Sequence, residues 1–403
     1  MTLPVVFPTF LPNRLNSAFC SYMRVLHVLH SLKQSYGGPI RIVLDLSARS
    51  LSLGLQSEVL GFGPPSLPDN PLEEARIHTL PISAPHTYGY VPQLRGWLRA
   101  NLPRFDAVVL HCMWLYPNWA VSSECRRAGI PYGCYPHGNL EPWAVFHQGP
   151  LKKLKKTIYW RLRERKVLRA ARCIYFATNR ELQLAKSTFH LDGMQLLLAP
   201  YYGVDFQPAR VLAPANPSLR QPALTKIALF LGRLHPKKNA ELLIRSWSQA
   251  RPAETWRLLI AGSGDEHYSR YLKRLIDELG LEGKVHLLGF VAGTDKTYLL
   301  QRASWFFLPS HQENFGIAVL EAIGNGCPVA ISDQVFLGEF LHAKSEILPL
   351  DLNAWATFMR ERMTDDAWRD ELANLDRQHF ANGMTLQRVA QAWASTLSAT
   401  LRP

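Results

Sequence analysis

The chain has 403 residues, 47% of them hydrophobic, and carries 45 Lys and Arg against 32 Asp and Glu, a net charge of +13. That length can hold two domains with proper cores, the composition is that of a soluble globular protein, and the charge argues for contact with something anionic. No apolar run approaches the roughly 20 residues needed to span a bilayer. Cys20, Cys112, Cys125, Cys134, Cys173 and Cys327 are scattered without a C-x-x-C pair, so they read as reduced cytosolic thiols and suggest neither zinc nor a disulfide frame.

Residues 1–22 contain Pro4, Pro8 and Pro12, show no periodicity, and lack the basic start and apolar core of a signal peptide. They are expected to be an extension, either a start codon placed too early or a disordered arm. Arg24–His30 then reads as the first strand of a domain, followed by Gly37-Gly38, which suits either a tight turn or a close approach to phosphate. Further strands are expected at Gln56–Gly61, Asp106–His111, Tyr132–Pro136 and Cys173–Thr178, with helix-like segments between them. His137, in Tyr135-Pro136-His137-Gly138-Asn139, is displayed at a strand's carboxyl end, as a structural hydrogen-bonder or as a residue facing a ligand.

Between Leu151 and Arg172 stand ten Lys or Arg residues and one acid, Glu164, with Leu151, Leu154, Ile158 and Leu162 at helical spacing. Such a basic amphipathic helix either rests on an acidic membrane surface or packs its apolar stripe on its own domain. No recognised nucleic-acid-binding module accompanies the patch.

Phe206–Ala223, rich in proline and alanine, reads as a linker (206–223) between domains at 23–205 and 224–385. Alternation restarts with strands at Lys226–Leu231, Trp256–Ala261, Lys284–Leu288, Ser304–Leu308 and Pro328–Ser332. Strand–helix alternation of this kind implies two doubly wound, Rossmann-like α/β domains of parallel sheet, facing each other across a cleft. Leu386–Leu401 reads as a helix in a last segment, 386–403, that crosses back to the first domain.

Gly232-Arg233-Leu234-His235-Pro236-Lys237-Lys238-Asn239 follows the first strand of the second domain. Arg233, with its fork, and Lys238, as a point charge, suit a diphosphate whose charge grows as it leaves; the plain alternative is a solvated basic turn. Asn239 is the expected helix cap. Ala261-Gly262-Ser263-Gly264-Asp265 closes the next strand with glycines that serve a ligand or only a turn. Glu313-Asn314-Phe315-Gly316-Ile317-Ala318-Val319-Leu320-Glu321 follows Trp305-Phe306-Phe307-Leu308-Pro309, a strand, a loop with an acid, and a helix opened by glycine. The amides of Gly316 and Ile317 at that helix start offer a seat for phosphate. Glu321 lies about 7.5 Å further along the axis, a reach from diphosphate to ribose. Taken alone, Glu313 is a helix-entry acid and Glu321 an exposed helix residue.

Taken together, Gly37-Gly38, Pro136-His137-Gly138, Gly232-Arg233 with Lys238, and the Glu313/Glu321 pair around Phe315-Gly316 resemble, in order, the retaining glycosyltransferases of the GT-B fold, close to family 4 (glycosyl transferases group 1). The resemblance runs from about Met23 to the end. It implies that Arg233 and Lys238 neutralise a donor diphosphate, aided by amides around Phe315, Gly316 and Ile317. By the same resemblance Glu321 holds the ribose, Glu313 contacts the transferred sugar, and His137 lies near the reacting sugar. Gly37 and Gly38 lie by the phosphates, and Gly262, Phe290 and Asn314 complete the donor site.

The implied reaction moves a hexose from a UDP- or GDP-sugar to an acceptor hydroxyl with retention, without metal or other cofactor. Pro136–Trp143 followed by a basic helix resembles the subset that builds bacterial exopolysaccharides, O-antigens and lipopolysaccharide, which implies a lipid-linked glycan acceptor and a cytoplasmic enzyme peripheral to the membrane. Tyr202, where the family usually has asparagine, and Asn239, where glycine is common, depart from the pattern. A nucleotide-sugar epimerase of the same architecture and a non-catalytic nucleotide-sugar-binding membrane adaptor are the competing readings.

Overall fold

A computed structural model describes residues 22–32, 39–63, 76–84, 86–111, 113–146, 149–206, 213–220, 225–342 and 344–402. The expectations for residues 1–21 and for Gly37, Gly38 and Cys112 lie outside the described residues. The described residues divide into two compact units, one holding 22–203 together with 386–402, the other 204–385.

The first unit is built on seven parallel strands: β1 (Met23–Val28), β2 (Leu55–Phe62), β3 (Arg76–Leu80), β4 (Ala107–Leu110), β5 (Tyr132–Cys134), β6 (Cys173–Phe176) and β7 (Leu196–Leu198). Their order is β3-β2-β1-β4-β5-β6-β7, with Val25 opposite Ser57 on one side and Ala107 on the other. Helices cover both faces, so central strands such as β4 and β6 bury every residue and read as unbroken apolar runs. On one face Leu26, Val28, Leu60, Val108, Leu110 and Phe176 pack with helix residues Val121, Cys125 and Leu168. On the other, Val59 meets Leu29, Leu32, Ile40, Val43 and Leu44. Each such side chain, fully buried, contributes roughly 1.5–3 kcal/mol. The helix Leu386–Leu401 packs with this unit: Trp393 stacks on His27 (5.0 Å between centroids) and Thr400 Oγ1 lies 2.5 Å from the Tyr175 hydroxyl.

The second unit has six parallel strands, β8 (Lys226–Leu231), β9 (Trp256–Ala261), β10 (Val285–Gly289), β11 (Trp305–Leu308), β12 (Val329–Ser332) and β13 (Glu346–Leu348). They are ordered β10-β9-β8-β11-β12-β13. Three of its helices start on acids that accept backbone hydrogen bonds: Asp265 from Tyr268 (2.9 Å), Asp351 from Ala354 (2.8 Å) and Asp365 from Trp368 (2.9 Å). Part of the stretch read as a patternless linker is ordered on this unit. Pro217–Leu219 forms a 3-10 turn, and the Asn216 amide donates to Asp295 (3.0 Å).

The basic stretch is helical over Pro150–Tyr159, passes through a π turn at Trp160–Glu164, and continues as Arg165–Ala170. It packs on the first unit through Trp160, Val167 and Leu168, not through the Leu151–Leu162 row that the sequence offered for that role.

Candidate functional site

Both sheets reverse their order at their first strand, and in such sheets ligands are held beyond the carboxyl ends beside that point. In the second unit the loops leaving β8 and β11 therefore start side by side. After β8 the chain closes in a 3-10 turn, Pro236–Lys238, opened by His235, whose Nδ1 accepts from the Lys237 amide (3.1 Å). Asn239 follows with φ 55° and ψ 39°, and its side chain makes no cap bond. Asn239 thus stands at the cap position of the helix Ala240–Ala250 as expected, but without a side-chain capping bond: the position takes left-handed backbone, which asparagine tolerates and glycine adopts freely, and this explains why the two interchange there.

The amide of His311, beyond β11, donates to the Lys237 carbonyl (2.8 Å) and fastens the two loops together. Across the junction the Lys238 ammonium forms an ion pair with the Glu313 carboxylate, each side chain less than a fifth exposed. Burial, with Lys237 and Arg233 close by, pulls the Lys238 ammonium down to about 7. The Glu313 carboxylate in contact with it works the other way, toward keeping it charged. Arg233 is exposed, a guanidinium open to solvent at the same loop.

Glu313–Phe315 is laid against the segment after β12 by three backbone bonds: Glu313 to Gln334 (3.0 Å), Phe336 to Glu313 (3.1 Å) and Leu337 to Phe315 (3.0 Å). The Phe315 ring is buried and packs near Phe340 (6.2 Å between centroids), so it offers a ligand only its backbone. Asn314 is half-buried beside it. Gly316 has φ 98°, and a Cβ there would lie 2.9 Å from Val335 Cγ1, so the turn into the helix Ile317–Gly324 needs glycine on both counts. Val319 and Leu320 donate back to the Gly316 carbonyl (2.9 and 3.2 Å). The amides that open the helix have no acceptor within it and carry the positive end of its dipole. One turn on, Glu321 accepts from Lys296 Nζ (2.6 Å). Lys296, on the helix Gly293–Arg302, lay outside every motif in the sequence and is found only through this contact.

Gly262 allows two loops to approach each other: its amide donates to Gly289 (2.7 Å), and a Cβ would fall 1.8 Å from the Gly232 carbonyl oxygen. The close approach that glycine permits here is to the neighbouring loop. Phe290, next after Gly289, holds its ring 62% exposed at the carboxyl end of β10. Arg233, Lys238, Gly262, Phe290, Glu313–Ile317 and Glu321 thus all follow the carboxyl ends of β8 to β11. Together they make a surface with two cations, a helix start, a carboxylate at each end of one short segment, and an exposed aromatic ring. Such a surface can neutralise an anion, hold hydroxyls and lie against a base.

In the first unit His137 follows β5 with φ 52°, and the adjoining Gly138 amide donates to Glu181 Oε1 (2.8 Å). Glu181 also accepts from Ala177 (2.8 Å), at the start of the helix Asn179–Thr188. His27 Nδ1 lies 3.1 Å from His111 Nε2, His111 Nδ1 lies 3.2 Å from His137 Nε2, and His137 Nδ1 meets the Tyr201 hydroxyl, which meets that of Tyr202. Both nitrogens of His137 are engaged, the geometry of a structural hydrogen-bonder. Tyr202 joins this chain of rings where asparagine was usual. Burial pulls His27 and His137 down to about 3 and His111 well below its ordinary value, so the three imidazoles are neutral at pH 7. His27 and His111 had read only as strand residues. Among the described residues no group of three or more His, Cys, Asp or Glu is placed to hold a metal ion.

Comparison with known proteins converges on one class. Residues 216–345 match the family described as glycosyl transferases group 1, and residues 37–193 match the glycosyl transferase 4-like domain. The chain is 31% identical over 169 residues to the O-antigen chain mannosyltransferase B of Escherichia coli, covering 39% of this chain and 44% of that one. It is 26% identical over 323 residues to the GDP-mannose:cellobiosyl-diphosphopolyprenol alpha-mannosyltransferase of Xanthomonas campestris, covering 77% and 79%. The crystal structure of Anabaena HepE with UDP and glucose matches the fold with a TM-score of 0.77 at 17% identity, covering 94% of this chain and 100% of that one.

Proposed function

The chain belongs to the glycosyltransferases of the GT-B fold, family 4, and from that premise we propose that it is a retaining, metal-independent hexosyltransferase using a UDP- or GDP-sugar. The observation that carries the reading is the Lys238–Glu313 ion pair, set beside Arg233 and the helix start at Gly316. A cation held by a carboxylate in a partly dry position is ready to transfer its attraction to a diphosphate.

In the proposed reaction the bond between the sugar's anomeric carbon and the diphosphate oxygen breaks, and the acceptor oxygen bonds to that carbon on the same face. The acceptor proton passes to the departing diphosphate oxygen. Arg233, Lys238 and the amides of Gly316 and Ile317 meet the charge gathering on that diphosphate, contacts that strengthen toward the transition state. Glu313 accepts from hydroxyls of the transferred sugar, and Glu321, steadied by Lys296, accepts from the ribose. Phe290 lies against the base. His137, whose two ring nitrogens are engaged by His111 and Tyr201, is given no proton-transfer role. Metal independence rests on the two cations supplying the positive charge themselves.

A lipid-linked glycan at the cytoplasmic face of a membrane is the proposed acceptor, a reading supported by the Xanthomonas relative, named for a diphosphopolyprenol-linked acceptor. The test is incubation of the purified chain with UDP-glucose, UDP-galactose, GDP-mannose and GDP-fucose and a polyprenyl-diphosphate oligosaccharide. Nucleoside diphosphate release with a product that keeps the donor's anomeric configuration is expected from one donor. Isomerised donor without transfer, or binding without turnover, overturns the proposal.

A further inference from the structure

The helix that begins at Pro150 and runs through the π turn to Ala170 carries two apolar rows. Trp160, Val167 and Leu168 face the first unit and are buried, and Glu164 on that side accepts from Asn118 Nδ2 (2.9 Å). Leu151, Leu154, Ile158 and Leu162, spaced by three or four residues, face outward and are 83%, 58%, 49% and 61% exposed. Phe146, at the end of the preceding helix, is also exposed, with the Lys153 ammonium 4.9 Å from its ring centroid. Because the helix is already anchored by its other face, packing does not account for four large aliphatic side chains in water.

Charge says what would cover them. Of the eleven charged residues from Leu151 to Arg172, ten are Lys or Arg, and the one acid, Glu164, is turned inward and buried. Lys152, Lys155, Arg161, Arg165, Lys166 and Arg169 are exposed around the aliphatic row. A nucleic acid would satisfy these cations but leave the leucines in water, and a second copy of the chain would set cations against cations. The boundary between headgroups and acyl chains of an anionic bilayer answers both at once.

We propose that the outward face of Pro150–Ala170 docks in the plane of an anionic phospholipid surface, with Leu151, Leu154, Ile158 and Leu162 at the acyl boundary and the flanking cations among the phosphates. The proposal stands on this face alone and needs nothing of the donor chemistry above.

The test is flotation of the full chain with vesicles of phosphatidylcholine alone or with 30% phosphatidylglycerol. The wild type should float with the anionic vesicles and stay behind with the neutral ones. L151S/L154S/I158S/L162S and, separately, K152Q/K155Q/R161Q/K166Q should each weaken vesicle binding at least about tenfold. Both should keep the wild-type thermal midpoint, since every altered side chain is exposed. Failure of the wild type to float would overturn the proposal. So would binding that the serine variant retains, which would mark a general polyanion patch, or a wild-type dimer that the serine variant dissociates, which would mark a self-association face.

Discussion

Replacing Lys238 by methionine tests the ion pair from both sides. Opposite charges about 4 Å apart at an effective dielectric of about 20 attract by about 4 kcal/mol, and desolvation offsets much of this. With both side chains less than a fifth exposed, orphaning the Glu313 carboxylate costs roughly 2–3 kcal/mol, or about 5–10 °C in the unfolding midpoint of the second unit. Adding Glu313→Leu removes the orphaned charge, and the double variant should recover to within about 1 kcal/mol of the wild type. Turnover should behave differently. A cation that stabilises a leaving diphosphate contributes about 2.7–4 kcal/mol in the transition state, so Lys238→Met should lower kcat about a hundred- to a thousandfold. The double variant should stay as slow, because apolar packing cannot replace the charge. Calorimetric unfolding and nucleotide release at saturating donor read the two effects separately. A double variant that regains stability and turnover together would make the pair a structural brace and refute the reasoning.

Lys296→Met frees Glu321 from its partner and should raise the donor KM about tenfold while leaving kcat within about twofold, as expected for a group that positions a binding residue; a loss confined to kcat would contradict it. Gly316→Ala introduces a Cβ at φ 98° against Val335 and should cost about 1–3 kcal/mol, so an unchanged unfolding midpoint would refute that strain. Burial raises the Glu164 carboxyl from its usual 4.5 to about 7, so between those values the unfolded chain holds fewer protons than the folded one. Stability should therefore fall as pH rises through this window, by up to roughly 3 kcal/mol. Glu164→Gln should lack that slope, and parallel pH profiles for the two proteins would contradict the assignment.

How much of this was legible in the sequence follows from burial. β8 and β9 occupy the spans read for them, since a central parallel strand is covered on both faces and shows as an unbroken apolar run. The strands that escaped notice, Arg76–Leu80, Leu196–Leu198 and Glu346–Leu348, all lie at sheet edges, where half-exposed residues dilute that signal. Motifs at the carboxyl ends of β8 and β11 could be read because chemistry and turn geometry coincide within a few residues. Lys296 could not, since its contact with Glu321 joins two helices 25 residues apart in sequence. The chain from His27 through His111 to His137 was hidden for the same reason, each ring coming from a different strand or loop. In the basic helix both apolar rows have helical spacing, and only the fold decides which is buried.

The central claim is that the loops after β8 and β11 hold a nucleoside diphosphate by fixed positive charge. Titration calorimetry of the wild-type chain with UDP and with GDP in the presence of EDTA tests it most directly, set against Arg233→Gln/Lys238→Met. The account predicts binding of at least one nucleotide by the wild type, weakened at least about a hundredfold in the variant. Equal affinity in the two proteins, or no binding of either nucleotide without added metal, would contradict it.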